Sequence, residues 1–140
     1  MLIILLNYLI PPRVANMENI ARDNRKLSMA PEILRLPEPP LKGTKEGDIY
    51  SIGIIIHEII ERKGPFGTSS DDCVMSAGEI LEMILKPPYG KFYRPSFSLT
   101  QNDKVQVAKD IAESCWVEGP MFRPDIWNLE NRTLKLQDEE

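Results

Sequence analysis

Apolar residues crowd into one stretch of the chain, residues 43–62. A polar, turn-prone entry, Gly43-Thr44-Lys45-Glu46-Gly47-Asp48, leads into a run dense in isoleucine. Isoleucine is β-branched and favours strands, so Ile54-Ile55-Ile56 alone fits a buried strand. Length decides for a helix, because residues 48–61 are long for a strand and ordinary for a helix. Ile49, Ile52, Ile56, Ile59 and Ile60 follow helical spacing, and Ile55 widens the stripe. A helix that is apolar nearly all round is normally buried. The expectation is therefore a central helix, capped by Thr44 and ended by Gly64-Pro65, with the other segments packed around it.

The remaining pattern gives shorter helices cut by proline. Residues 13–26 are polar, of mixed charge and without a clear period, which predicts an irregular segment. Pro31 is suited to the first turn of a short helix, with Glu32 near its positive end. Pro37, Pro39 and Pro40 make a rigid connection into Gly43. Ser76-Ala77-Gly78-Glu79 matches a capping box, and Ile80, Leu81, Ile84 and Leu85 supply the apolar face behind it. Pro87-Pro88 ends that helix. The aromatic loop 89–97 follows, then a helix capped by Thr100 or Asn102, with its stripe at Val105, Ala108, Ile111, Ala112 and Cys115. A last helix opens after Arg123-Pro124, capped by Asp125 and anchored by Ile126, Leu129 and Leu134. No sheet is predicted, so the fold class is mainly α.

Composition narrows the function classes. Net charge is −4, and no concentrated basic patch appears of the kind phosphate backbones require. Lys91 and Arg94 among aromatics raise single-strand stacking as an alternative, but the acidic balance favours a packing loop and no nucleic-acid partner. Two cysteines, Cys73 and Cys115, lack metal-ligand spacing and read as free thiols. His57 is the sole histidine, so no zinc site is expected. With no acid or nucleophile at fixed spacing, His57 is expected to be a packed or partly exposed side chain. The apolar start, residues 1–10, is about half the ~20 residues a membrane span needs and has no basic residue ahead of it. It is expected to be a packing segment or the start of a truncated chain.

Four landmarks then stand in order: Ala30-Pro31-Glu32, Gly47-Asp48-Ile49-Tyr50-Ser51-Ile52-Gly53, Cys115-Trp116 and Arg123-Pro124. Together they resemble the C-terminal lobe of a protein kinase, from the end of the activation segment to the last helix. The segments 27–35 and 45–55, Gly64-Pro65-Phe66, and Tyr93-Arg94-Pro95-Ser96 are more specifically similar to the kinase-homology domain of membrane receptor guanylate cyclases. The division expected is an apolar and irregular start over 1–26, a partial kinase-like helical lobe over 27–137 with the N-terminal lobe absent, and an acidic tail over 138–140.

The resemblance implies anchoring more than chemistry. It implies an ion pair between Glu32 and Arg123, tying the activation-segment end to the helices below. It places Asp48 where kinases hold the backbone of the catalytic loop. The residues by themselves leave Asp48 as a local cap or a solvated acid. No catalytic, cofactor-binding or metal-binding residue is assigned. A Gly-rich phosphate loop, a nucleotide-orienting lysine, a His-Arg-Asp loop and Asp-Phe-Gly are not found.

The expectation is a non-catalytic fragment of a receptor guanylate cyclase's regulatory pseudokinase domain, in cGMP signalling, on the cytoplasmic side of a membrane. ATP would bind, if anywhere, in the parent domain. The partners implied are the rest of that domain and a cyclase domain, with a homodimer formed through the parent. Two alternatives stand beside it: the helical lobe of an active tyrosine-kinase-like enzyme, and a stand-alone interaction module docking through the helix after Ser76. A lobe without its domain partner is also expected to expose apolar surface.

Overall fold

The computed structural model describes residues 12–68, 73 and 75–138. Among them are six α-helices and no strand: α1 Pro12–Lys26, α2 Pro31–Leu34, α3 Lys45–Glu61, α4 Ala77–Leu85, α5 Asp103–Cys115 and α6 Ile126–Asp138. Single 3-10 turns, each opening on proline, lie at Pro65–Gly67, Pro88–Gly90 and Pro120–Phe122. No described helix is long and apolar enough to cross a membrane.

Local chemistry sets most of the helix ends. The Thr44 hydroxyl accepts from the Gly47 amide at 2.9 Å and starts α3. At α4 the reciprocal box forms: the Ser76 hydroxyl takes the Glu79 amide, while the Glu79 carboxylate takes the Ser76 amide. Asn102, rather than Thr100, caps α5 through the Val105 amide. Asp125 caps α6 by accepting from Asn128 at 2.8 Å. Each supplies an acceptor to an amide that has no partner within the helix. The end of α3 differs from expectation: Arg62, in the left-handed region at φ 55°, terminates it two residues before Gly64.

The packing forms three apolar groups. α2, α3 and α5 meet at Ala30, Ile33, Tyr50, Ile54, Ala112 and Trp116. α3, α5 and α6 meet at Ile49, Ile111, Cys115 and Leu129. α4 gathers Ala77, Ile80, Leu81 and Ile84 around Leu27, with Phe66 bridging to the first group. α3 is thus the hub of two groups and not of the third. Its closest neighbour is α5. A Cβ on Gly53 would stand 2.8 Å from the Cβ of Cys115 and 2.9 Å from the Ala112 carbonyl oxygen. Only glycine permits that backbone approach.

Three expectations are corrected. Residues 13–26 are not irregular, because α1 spans them and packs against α4. Tertiary contact overrides a weak local pattern there. The buried stripe of α3 runs through Gly47, Ile49, Tyr50, Gly53, Ile54 and His57. Ile55 and Ile59, by contrast, are 47% and 69% exposed. Ile49 of the expected stripe is buried and Ile52 and Ile56 pack against the core, so periodicity placed part of the face and also admitted positions that point outward. On α6, Leu129 anchors as expected, whereas Ile126 and Leu134 are exposed. Residues 1–10 and the last two residues of the acidic tail lie outside the described residues, and the rest of that tail is the end of α6.

Candidate functional site

The densest polar cluster is built where α2, the start of α3, the loop 93–97 and the segment 116–123 converge. Arg123 sits at its centre, its side chain wholly buried. Each of the five guanidinium N–H groups has an acceptor. Nη1 and Nη2 hold the two carboxylate oxygens of Glu32, at 2.6 and 2.9 Å. Nη1 also reaches the Glu46 carbonyl at 2.9 Å, and Nη2 the Glu118 carbonyl at 3.4 Å. Nε donates to the Val117 carbonyl at 3.0 Å. The paired fork on a carboxylate is the geometry that suits guanidinium and not ammonium. Its companion acceptors include a carbonyl at the α3 entry, so one side chain joins α2, α3 and the segment before α6.

A second arginine mirrors the first. Arg94 donates from Nε to the Trp116 carbonyl at 2.7 Å, and from Nη2 to Glu118 at 2.5 Å. The other Glu118 oxygen accepts from Arg35, which also donates to the Ile84 carbonyl at the end of α4. Glu118 thereby ties the loop 93–97 to the end of α2. Burial, the largest influence on this carboxyl, raises its pKa. The hydrogen bonds and charges of Arg35 and Arg94 outweigh it and hold the group below the ordinary value.

Both arginines approach the ring of Tyr50, which is fully buried. The guanidinium carbons of Arg94 and Arg123 stand 5.4 and 5.2 Å from its ring centroid, within cation–π range. Its hydroxyl has no hydrogen-bond partner among the described residues. Burial is the main cause that pushes the phenol up to about 12, with the arginine charges acting in the opposite direction.

His57 lies one further step along the buried face of α3. It is buried, with Nε2 2.8 Å from the Ser96 carbonyl and Nδ1 without a partner among the described residues. Since a carbonyl can only accept, Nε2 carries the proton. The ring packs against Phe97 and Trp116 at centroid distances of 5.0 and 6.1 Å. This is the packed histidine expected from sequence. Buried Lys109 closes the same corner by donating to the Ser98 carbonyl, with its ammonium 5.4 Å from the Phe97 ring centroid. The aromatic loop likewise packs through Tyr93, stacked on Phe66, and Phe97, stacked on Trp116.

Asp48 sits apart from the cluster. It is exposed in the first turn of α3, and no hydrogen bond or ion pair to its carboxylate occurs among the described residues. Glu32 and Arg123 are thus brought together, and Asp48 is not joined to them. Sequence reasoning did not find Arg35, Tyr50, Arg94, Glu118 or Lys109 as cluster members. The signal available was the density of arginine near the landmark motifs, but their carboxylate partners lie 24 to 91 residues away.

Chemically the cluster is saturated. Both carboxylates meet guanidinium groups, and the guanidinium groups of Arg94 and Arg123 meet carboxylates and carbonyls. No group of His, Cys, Asp and Glu suited to a metal ion occurs among the described residues.

No family model matches the chain. Several curated proteins do. It is 40% identical over 116 residues to guanylate cyclase 32E of Drosophila melanogaster, covering 81% of this chain and 10% of that protein. Identity to atrial natriuretic peptide receptor 2 of Homo sapiens is 35% over 115 residues, or 82% of this chain and 10% of the receptor. With the receptor-type guanylate cyclase gcy-28 of Caenorhabditis elegans it is 33% over 142 residues, or 88% of this chain and 11% of that protein. The chain spans about a tenth of the length of the curated relatives it matches.

Proposed function

We propose, for a chain homologous to receptor guanylate cyclases over a segment consistent with their kinase-homology region, a regulatory and non-catalytic role in cGMP signalling. The homology carries this reading, because it extends through more than four-fifths of the chain at 33–40% identity. The geometry supports it in a second way. The cluster around Arg123 joins α2, α3, the loop 93–97 and the segment 116–123, and engages Glu32 and Glu118 in ion pairs with Arg123, Arg35 and Arg94. Its role is to hold the end of α2 in register with the hub helix.

In this reading the segment is the helical part of a pseudokinase-like region. It works on the cytoplasmic side of a membrane, and its partners are the rest of that region and a cyclase domain. The exposed apolar residues on α3, Ile55 and Ile59, are where more of the region would be covered. No step of the proposal runs through ATP.

The test is the transcript that carries this reading frame. Long-read sequencing is expected to find a membrane-span sequence on its 5′ side and a cyclase domain on its 3′ side. A mature transcript that encodes neither overturns the receptor role.

A further inference from the structure

The connection between α2 and α3 carries a pattern that the proposed regulatory role does not use. It reads Leu36-Pro37-Glu38-Pro39-Pro40-Leu41-Lys42. Every residue of it is exposed, and Leu41 is more exposed than any other leucine described, at 106%. A polyproline II helix repeats every three residues. In that conformation Pro37 and Pro40 share one edge, and Leu36, Pro39 and Lys42 share the next. Glu38 and Leu41 fall on the third edge, away from both. Two adjacent edges therefore carry three prolines, one leucine and, at the far end, one cation.

We infer that residues 36–42 are a docking ligand for an SH3-type domain, a groove of aromatic rings ending in an acidic pocket. The rings would receive Leu36-Pro37 and Pro39-Pro40, and the acidic pocket would receive Lys42. Such grooves recognise PxxP segments through the preformed, low-entropy shape of the proline helix. The local chemistry favours that shape: Leu36, Glu38 and Pro39 each precede a proline and are biased toward extended backbone. Both ends of the segment are held by the fold. Arg35 is bound to Glu118 and the Ile84 carbonyl, and Thr44 caps α3. In the free chain the segment bends at residues 36–38, and Gly43 donates to the Pro40 carbonyl at 3.1 Å. Docking straightens the bend at 36–38 and unwinds the turn at 41–42, opening the hydrogen bond from Gly43 to Pro40. The inference stands independently of the guanylate cyclase reading, because it uses only this segment's pattern and exposure.

The experiment titrates the full chain into a panel of purified, isotope-labelled SH3 domains and follows their amide shifts. Shifts are expected in the aromatic groove of at least one domain. Against that domain, Pro37→Ala/Pro40→Ala and, separately, Lys42→Glu each weaken binding by about tenfold or more. Glu38→Ala and Leu41→Ala keep the affinity within about twofold, since their edge faces away. All five substitutions are at exposed positions, and unchanged thermal melts show that the fold is kept. No groove shift in any panel member overturns the inference. So does a loss at Glu38 or Leu41 equal to that at the prolines, or binding by the isolated peptide that the intact chain does not reproduce.

Discussion

Arg123 grips both carboxylate oxygens of Glu32 across 91 positions of sequence, and does so with a side chain wholly removed from solvent. Removing the arginine leaves the partly buried Glu32 carboxylate without its partner and takes the donors from the Val117 and Glu46 carbonyls. Arg123→Ala is expected to lose about 3–5 kcal/mol of stability by denaturant unfolding. Arg123→Lys keeps the charge but not the fork or the five donors, and is expected to recover less than half of that loss. An unchanged unfolding midpoint in Arg123→Ala would show that the pair contributes nothing to the fold.

The acid limb of stability should depend on Glu118. Its pKa in the folded chain lies below the ordinary 4.5. A carboxyl depressed by folding adds stability above its unfolded pKa, and that contribution disappears as pH falls through the folded value. Glu118→Gln is therefore expected to flatten the loss of stability on acidification below about pH 4.5. Urea midpoints measured from pH 7 to pH 3 on both proteins check this, and parallel curves would refute it.

Tyr50 behaves in the opposite sense. Its phenol is raised to about 12, so the folded chain retains a proton that the unfolded chain releases near 10. The stability it contributes is complete below pH 10 and is lost as pH rises toward 12. Tyr50→Phe should remove that part of the alkaline limb. It also deletes a buried hydroxyl with no partner among the described residues. At neutral pH the variant is expected to be as stable as the parent or more stable, by up to about 1 kcal/mol. A loss above about 1 kcal/mol would mean that the hydroxyl is satisfied in solution.

Gly53→Ala tests the contact between α3 and α5. The new methyl would stand 2.8 Å from the Cβ of Cys115 and 2.9 Å from the Ala112 carbonyl oxygen, so the helices must separate. In an isolated helix the substitution is favourable by about 1 kcal/mol. Here overpacking is expected to reverse the sign, with a net loss of about 1–3 kcal/mol in thermal unfolding. A raised melting temperature would disprove the close approach.

Ile59, 69% exposed on the hub helix, should tolerate a charge. Ile59→Lys is expected to change stability by less than about 0.5 kcal/mol. It should also lower binding of an apolar-patch dye and raise solubility, because it interrupts an exposed isoleucine pair. A cost above about 2 kcal/mol would place Ile59 in the core instead.

Much of the helical layout was legible in the sequence because its signals act within three residues. Thr44, Ser76 with Glu79, Asn102 and Asp125 each cap a helix with a side chain a few bonds from the amide it receives. The landmark motifs and the kinship they suggest are likewise properties of order along the chain. Periodicity failed where it was ambiguous. A run of isoleucine presents apolar atoms at every angle, so only contact with Ala112, Cys115 and Trp116 picks the face carrying Tyr50, Ile54 and His57. Helix α1 was missed because its polar sequence has no period, and its order comes from packing on α4.

The cluster divides in the same way. The pairing of Glu32 with Arg123 was suggested by resemblance, whereas its setting could not be. Tertiary structure alone brings both Arg94 and Arg123 over the ring of Tyr50, and Arg35 to Glu118 across 83 positions. It also leaves Asp48 exposed at the entry of α3. A charge in sequence has no partner until burial makes an unpaired one costly, and the fold determines which groups are buried. The sequence by itself determined where the side-chain-capped helices begin and which motifs they carry. Only the packed chain decided which arginines those motifs would meet.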